Sequence, residues 1–293
     1  MSIPQQQGRV IAITGASSGI GRVTAEVLSQ RGARLVLLNR DEQAGQRFAA
    51  QLRAQGGQAE HVTLDLDDLH SVREAARVVL ARTEPLHVLI NNAGAAGRRD
   101  LTRQGFEAAF GVNHLGHFLL TSLLLPKLLA QPAARVVNVS SVAHYAARGI
   151  DFGALRRPAR AWNSLGRYQV SKLCNVLHAQ ELARRYGARG LEACSLHPGV
   201  ISTNIWRQVP QPIRGLMKLM MRSEEKGART TLYCATTADL ARPNGGYFDD
   251  GREREPSRWA QDEALARELW ERSEAWAGID LRASTSDPIP GLS

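Results

Sequence analysis

Short apolar runs alternate with helical segments along most of the chain. Arg9-Val10-Ile11-Ala12-Ile13 reads as a strand, and Val23, Ala25, Val27 and Leu28 recur after it at helical spacing. Arg34-Leu35-Val36-Leu37-Leu38 is a second strand, and the helix from Glu42 to Gln55 turns Phe48, Ala49 and Leu52 to one side before Gly56-Gly57 closes it. His61 to Leu66 is a third strand, followed by a helix from about Leu69 to Ala81. Leu86 to Ile90 and Arg135 to Val139 are the fourth and fifth, separated by a mostly helical stretch from Gly105 to Leu129. Gln169 to Arg185 is helical, Leu191 to Leu196 is a sixth strand, and Ser257 to Trp276 is an amphipathic helix. Buried runs alternating with helices predict an α/β fold whose parallel sheet is doubly wound, with helices on both faces and ligands at the carboxyl ends of the strands.

At 293 residues the chain suits one large α/β domain, or two small ones, and is long enough to bury a sizeable core. With 37 Lys and Arg against 28 Asp and Glu, the net charge is +9, and lysine occurs only at 127, 172, 218 and 226. The arginines are scattered and mixed with acids, as in Arg252-Glu253-Arg254-Glu255, so no nucleic-acid partner is expected. Cys174, Cys194 and Cys234 are too few and too far apart for a disulfide framework or a zinc site, and no metal is expected. They suit partly buried thiols in a reducing compartment. Residues 1–7 show no secretory pattern, and the apolar stretch around Leu119 to Leu129 is broken by Pro126 and Lys127. A cytoplasmic protein without stable membrane insertion is expected.

The strand ends carry the chemistry. After the first strand comes Thr14-Gly15-Ala16-Ser17-Ser18-Gly19-Ile20-Gly21, and then a helix. Glycines at this spacing let the backbone bend, approach a pyrophosphate and aim helix N-terminal N–H groups at its charge. Asn39-Arg40 closes the second strand with a guanidinium where an NAD-binding chain would place a carboxylate, which favours NADP. An ordinary surface arginine is the competing reading. Asp65 closes the third strand and suits the adenine amino group, and Asn91-Asn92-Ala93-Gly94 lets the chain pass close to a cofactor. Each is also compatible with a simple Asx turn.

Tyr168 and Lys172 lie one helical turn apart. A nearby ammonium favours phenolate and is expected to lower the tyrosine pKa toward working pH, as a proton donor to a developing alkoxide needs. Ser140-Ser141 ends the fifth strand with hydroxyls suited to polarise a carbonyl, although either can be a turn residue.

These motifs, with Asn113 and Pro198-Gly199, occur in the order seen in the short-chain dehydrogenase/reductase family, which residues 8 to 279 resemble. Gly111 to Phe118, Arg135 to His144, Ser195 to Val200 and Gly246-Tyr247-Phe248 are similar to the branch of retinol dehydrogenases and WW-domain oxidoreductases. No WW domain is expected, and a membrane location is not carried over from the relatives that bear an anchor before the glycine turn. The resemblance implies a Rossmann-like domain with Tyr168 as acid/base, Lys172 lowering its pKa and holding the nicotinamide ribose, and Ser141 bonding the substrate oxygen. Asn113 would anchor a water linking Lys172 to solvent. Gly15, Ser17, Ser18, Gly19, Ile20, Gly21, Arg40, Asp65, Leu66, Asn92, Ala93 and Gly94 would line the NADP site. Pro198, Gly199 and Val200 would shape the nicotinamide pocket, and Thr203 would hold the carboxamide or a phosphate. Dimers or tetramers are common in the family.

Ser141 and Tyr168 are 27 positions apart, a long interval whose inserted residues, Tyr145 to Gly166, either narrow the active site or are solvated. The register also leaves Ser140 open as the substrate hydroxyl. His114, His117, His144 and His197 read mainly as structural, with His144 open as a substrate contact. Residues 205–222, rich in Met and interrupted by Pro210 and Pro212, suit a cover over a lipophilic aldehyde or ketone, with a buried interface or membrane contact as competitors. The expected organisation is a flexible 1–7, one domain over 8–283 and a flexible 284–293. The leading expectation is an NADP-dependent oxidoreductase interconverting a carbonyl and an alcohol; the alternative is a non-enzymatic NADP-binding regulator or scaffold.

Overall fold

Strand β1 (Val10–Thr14) sends alternate side chains to opposite cores: Val10 and Ala12 to one, Ile11 and Ile13 to the other. The same division holds for Val36 and Leu38 against Leu35 and Leu37 in β2 (Arg34–Asn39). A period of two with both faces apolar is what a sheet covered by helices on each side requires. The computed structural model describes residues 3–199, 224–241 and 244–281. The remaining strands are β3 (Gln58–Thr63), β4 (Val88–Asn91), β5 (Arg135–Val139), β6 (Glu192–His197), β7 (Tyr247–Asp249) and β8 (Arg252–Arg254). They form one sheet in the order β3-β2-β1-β4-β5-β6-β7-β8, parallel throughout except for the β7–β8 pair. The strand order reverses between β1 and β4, and the crevice at such a point is where a doubly wound sheet takes its ligand.

The helices are α1 (Gly19–Gln30), α2 (Glu42–Ala54), α3 (Leu69–Leu80), the short α4 (Ala108–Phe110), α5 (Gly116–Leu129), α6 (Ser164–Tyr186), α7 (Glu224–Thr236) and α8 (Glu263–Ala277). A π-helical turn, Gly111–Leu115, joins α4 to α5. The continuous stretch Ala108–Leu129 is long and apolar enough to cross a bilayer, yet 94% of its apolar window is buried within the fold. Gln6 is buried, and its N–H donates to the Arg31 carbonyl at 2.7 Å, tying the end of the expected flexible 1–7 stretch to the domain.

Several boundaries differ from expectation for local reasons. The third strand ends at Thr63 rather than Leu66, because the Asp65 carboxylate accepts from the Asp67 N–H at 3.1 Å and bends the chain away from β2. The fourth begins at Val88, although the His87 N–H still donates to the Val10 carbonyl at 3.0 Å and its Nδ1 accepts from the Val10 N–H at 3.0 Å. The sixth runs one residue further, to His197. Helix α6 begins at Ser164, before Tyr168 rather than after it, and α8 begins only at Glu263, where the Asp262 carboxylate caps the Leu265 N–H. The short pair β7–β8 went unread as strands, each being only three residues long. The cysteines are fully buried rather than partly so, and Cys234 lies within hydrogen-bonding reach of Cys194. Val200, Thr203, the 205–222 segment and the 284–293 tail lie outside the described residues.

Candidate active site

The turn after β1 is built on two glycines with left-handed backbone, Gly15 at φ +68° and Gly19 at φ +56°. At Gly21, a Cβ would come within 2.4 Å of the Gly15 carbonyl oxygen and 2.5 Å of Asn92 Nδ2, so only glycine lets α1 press this closely on the turn. Helix α1 has no side-chain cap on Ser18 and no acidic residue in its first turn, which leaves its N-terminal N–H groups suited to an anion. Asn39 is turned into this loop, its Oδ1 accepting from the Ser17 N–H at 3.0 Å, while its Nδ2 is buried without a partner. Arg40 is exposed and makes no ion pair among the described residues.

Thr14 ties the turn to β4. Its Oγ1 accepts from the N–H groups of Asn92 and Ala93, each at 2.9 Å, and Asn92 Nδ2 donates back to the Thr14 carbonyl at 2.8 Å. Sequence reasoning passed over Thr14 as a hub, although its place directly before the first glycine was the signal available. Asp65 is half-buried and engaged in its own turn, and Leu66 is buried with its carbonyl oxygen close against Gly116. Pro198 and Gly199 follow β6, the glycine at φ +89°.

On the other side of the crevice, Tyr168 is 5% exposed and its hydroxyl lies within hydrogen-bonding reach of Ser141. Ser141 also caps the 3-10 turn Val142–Ala146, its Oγ accepting from the Ala143 N–H at 3.2 Å. Ser140, the other candidate hydroxyl, points into the core and donates to the Lys172 carbonyl at 2.7 Å. Adjacent strand-end residues face opposite ways, and this separates the pair. Lys172 is buried; its Nζ donates to the Val139 carbonyl at 2.9 Å and lies 5.6 Å from the centre of the Tyr168 ring. Burial lowers its pKa to about 8. Burial also pushes Tyr168 up to about 12, against a smaller lowering by the Ser141 hydrogen bond. The expected net lowering by the ammonium is therefore not seen: the spacing revealed the charge, while the desolvation that outweighs it depends on the whole fold.

Asn113 sits in the π-helical turn with its side chain fully engaged. Oδ1 accepts from the Ala95 N–H at 2.6 Å, and Nδ2 donates to the Ala95 carbonyl and to Ser171 Oγ, each at 2.9 Å. Behind it a buried polar chain crosses β4 and β5: Asn91 Nδ2 donates to Thr121 and Asn138, whose Nδ2 lies 3.1 Å from His178 Nδ1. His114 contacts Ser273, and His144 is held on both ring nitrogens, by the Ser141 carbonyl and the Ser257 N–H. His144 is thus part of the scaffold beneath Ser141. Among the described residues no group of three or more metal-ligating side chains converges.

An order-reversing parallel sheet with a glycine turn on one side of the crevice and a buried Ser–Tyr–Lys cluster on the other defines an α/β oxidoreductase. A family model for short chain dehydrogenase matches residues 9–154. Human retinol dehydrogenase 13 is 38% identical over 97% of this chain and 88% of its own length, and human retinol dehydrogenase 11 is 41% identical over 96% and 89%. The crystal structure of an uncharacterised protein from Mycobacterium paratuberculosis superposes with a TM-score of 0.76 at 38% identity, covering 94% of this chain and 96% of that one. The chain belongs to the short-chain dehydrogenase/reductase family. It is retinol dehydrogenase-like, an oxidoreductase of the alcohol–carbonyl class.

Proposed function

We propose that the protein is an NADP-dependent oxidoreductase that interconverts a carbonyl and an alcohol on a lipophilic small molecule. The observation that carries this reading is the Tyr168 hydroxyl within reach of Ser141, with Lys172 buried beside the same ring. The glycine turn from Gly15 to Gly21, the uncapped start of α1 and the unpartnered Nδ2 of Asn39 fit a dinucleotide phosphate. Arg40, exposed directly after β2, favours the 2′-phosphate of NADP, while the carboxylate of the adjacent Asp41 is engaged in capping α2 through the Ala44 N–H. The cofactor, when bound, supplies or takes up the hydride.

The chain's own groups handle the oxygen. Reduction builds negative charge on the carbonyl oxygen, and the Ser141 and Tyr168 hydroxyls are donors held in place before that charge appears. Tyr168, protonated at neutral pH because burial disfavours its phenolate, gives up the proton. Lys172 then stabilises the phenolate that remains, its ammonium sitting beside the ring. In oxidation the phenolate takes the proton back.

The lipophilic preference rests on exposure. Among the described residues, four of the six large exposed hydrophobics fall between Ser141 and Tyr168: Val142 at 40%, Tyr145 at 47%, Trp162 at 78% and Leu165 at 57%. Val142 adjoins Ser141, and Leu165 lies one turn before Tyr168 on α6. The proposal also takes the protein as cytoplasmic, with burial of Ala108–Leu129 as its support, and as open to forming homo-oligomers.

The test is NADPH consumption with aldehydes graded from short aliphatic to retinal, with NADH and Tyr168→Phe in parallel. The expected result is activity that prefers NADPH, grows with chain length and disappears in the variant. Tight NADPH binding with no carbonyl reduced would turn the assignment to the non-enzymatic regulator.

A further inference from the structure

Within the core, one imidazole touches both halves of the site. His117 is 2% exposed, and the groups at its two nitrogens, Thr14 and Asn113, are both fully buried. Its Nε2 lies 2.8 Å from Thr14 Oγ1 and its Nδ1 lies 3.0 Å from the Asn113 carbonyl oxygen. The Nδ1 contact alone would be an ordinary bond back along a helix. The Nε2 contact leaves the helix and reaches the strand end that opens the glycine turn.

The proton positions follow from counting. Thr14 Oγ1 already accepts from the N–H groups of Asn92 and Ala93, which uses both of its lone pairs. Its own proton must then be donated, and the candidates are His117 Nε2 at 2.8 Å and the Ile90 carbonyl at 3.5 Å. The shorter contact wins, so Nε2 is the acceptor. Asn113 offers only a carbonyl oxygen on the other side, so Nδ1 carries the hydrogen. Burial, with a smaller contribution from the Lys172 charge, lowers the His117 pKa to about 4 against the opposing Asn113 carbonyl, in keeping with a neutral ring at pH 7.

We infer that His117 is a positioning residue, a neutral imidazole of fixed tautomer that ties the dinucleotide turn to the Asn113 clamp. The inference rests on the functional reading above. On one side of the bridge are Thr14, Asn92 and Ala93, against which Gly15 and Gly21 pack. On the other, Asn113 holds Ala95 and Ser171, the residue directly before Lys172. A shift of the turn is therefore transmitted to the backbone that carries Lys172, and the converse also holds. Losing the imidazole leaves the Thr14 hydroxyl proton without its short acceptor and the Asn113 carbonyl without this donor, both in a dry interior.

The first measurement needs no variant: ring-nitrogen NMR of the intact histidine-labelled protein at neutral pH. The expected signature is protonated Nδ1 and an accepting, unprotonated Nε2 for His117. The opposite tautomer, or a doubly protonated ring, overturns the bridge. The second compares wild type with His117→Phe by NADPH fluorescence titration and by the pH–rate profile of carbonyl reduction. The expected result is NADPH affinity weaker by about 10-fold together with a displaced profile. A folded His117→Phe protein with unchanged affinity and an unchanged profile, even at a lower melting temperature, reduces His117 to a packing residue and overturns the inference. Failure of the functional reading looks different: wild type would show the fixed tautomer yet bind no NADPH.

Discussion

Ser140 and Ser141 are neighbours with opposite duties, and their alanine variants should fail in opposite ways. Ser141→Ala removes the Tyr168 partner at the crevice. It is expected to lower kcat for carbonyl reduction by about 100-fold with little change in melting temperature. Ser140→Ala removes a buried hydrogen bond to the Lys172 carbonyl, which keeps its place in the α6 ladder, and is expected to cost about 1 kcal/mol in denaturant unfolding. The raised pKa of Tyr168 sets a second expectation at this scale. A phenol pushed to about 12 is a proton donor at neutral pH, whereas oxidation needs its phenolate. Alcohol oxidation should therefore rise from about pH 7 to about pH 10 while carbonyl reduction does not, in initial rates measured in both directions. The Tyr168–Lys172 pair was legible because spacing alone places two residues on one helix face. The family resemblance points to Ser141 with Ser140 left open, because spacing does not tell which hydroxyl faces the crevice, and the sign of the tyrosine shift was not legible because it depends on burial in the assembled fold.

Elements fix where those side chains stand. Helix α6 starts one turn ahead of Tyr168, so Leu165 is helical and shares the Tyr168 face, while Val142 lies on the turn that Ser141 caps. If these residues border the substrate, Leu165→Glu and Val142→Asp should raise KM for long aldehydes much more than for short ones. Equal KM values across the chain-length series would remove both from the pocket. The periodic helices and buried strands could be read from apolar spacing, and two boundary errors come from side chains that redirect the backbone. Asp65 stops β3 and Asp262 delays α8, each through a hydrogen bond to a main-chain N–H. The π-helical turn at Gly111–Leu115 leaves no mark in the spacing, yet it carries Asn113.

Across the whole molecule, the sheet joins a cofactor half and a chemistry half. Arg135 at the start of β5 pairs with Glu192 on β6 and donates to the Cys234 carbonyl of α7 at 2.8 Å, which pins the later strands to a helix of the opposite layer. Arg135→Met leaves Glu192 largely buried without its cation and is expected to lower stability by about 3 kcal/mol, read by thermal or urea unfolding. The doubly wound class was legible from the alternation of runs and helices. The antiparallel return of β7–β8 was not, because three-residue strands carry too little pattern.

The placement of the exposed apolar side chains has an evolutionary meaning. Tyr168 and Lys172 stand on a long helix and Ser141 at the end of an interior strand, whereas Val142, Tyr145 and Trp162 belong to the connection between them. If Val142, Tyr145 and Trp162 border the substrate, their replacement varies substrate preference while Ser141, Tyr168 and Lys172 stay in place. A lineage built this way can diversify its chemistry's targets while inheriting the chemistry unchanged.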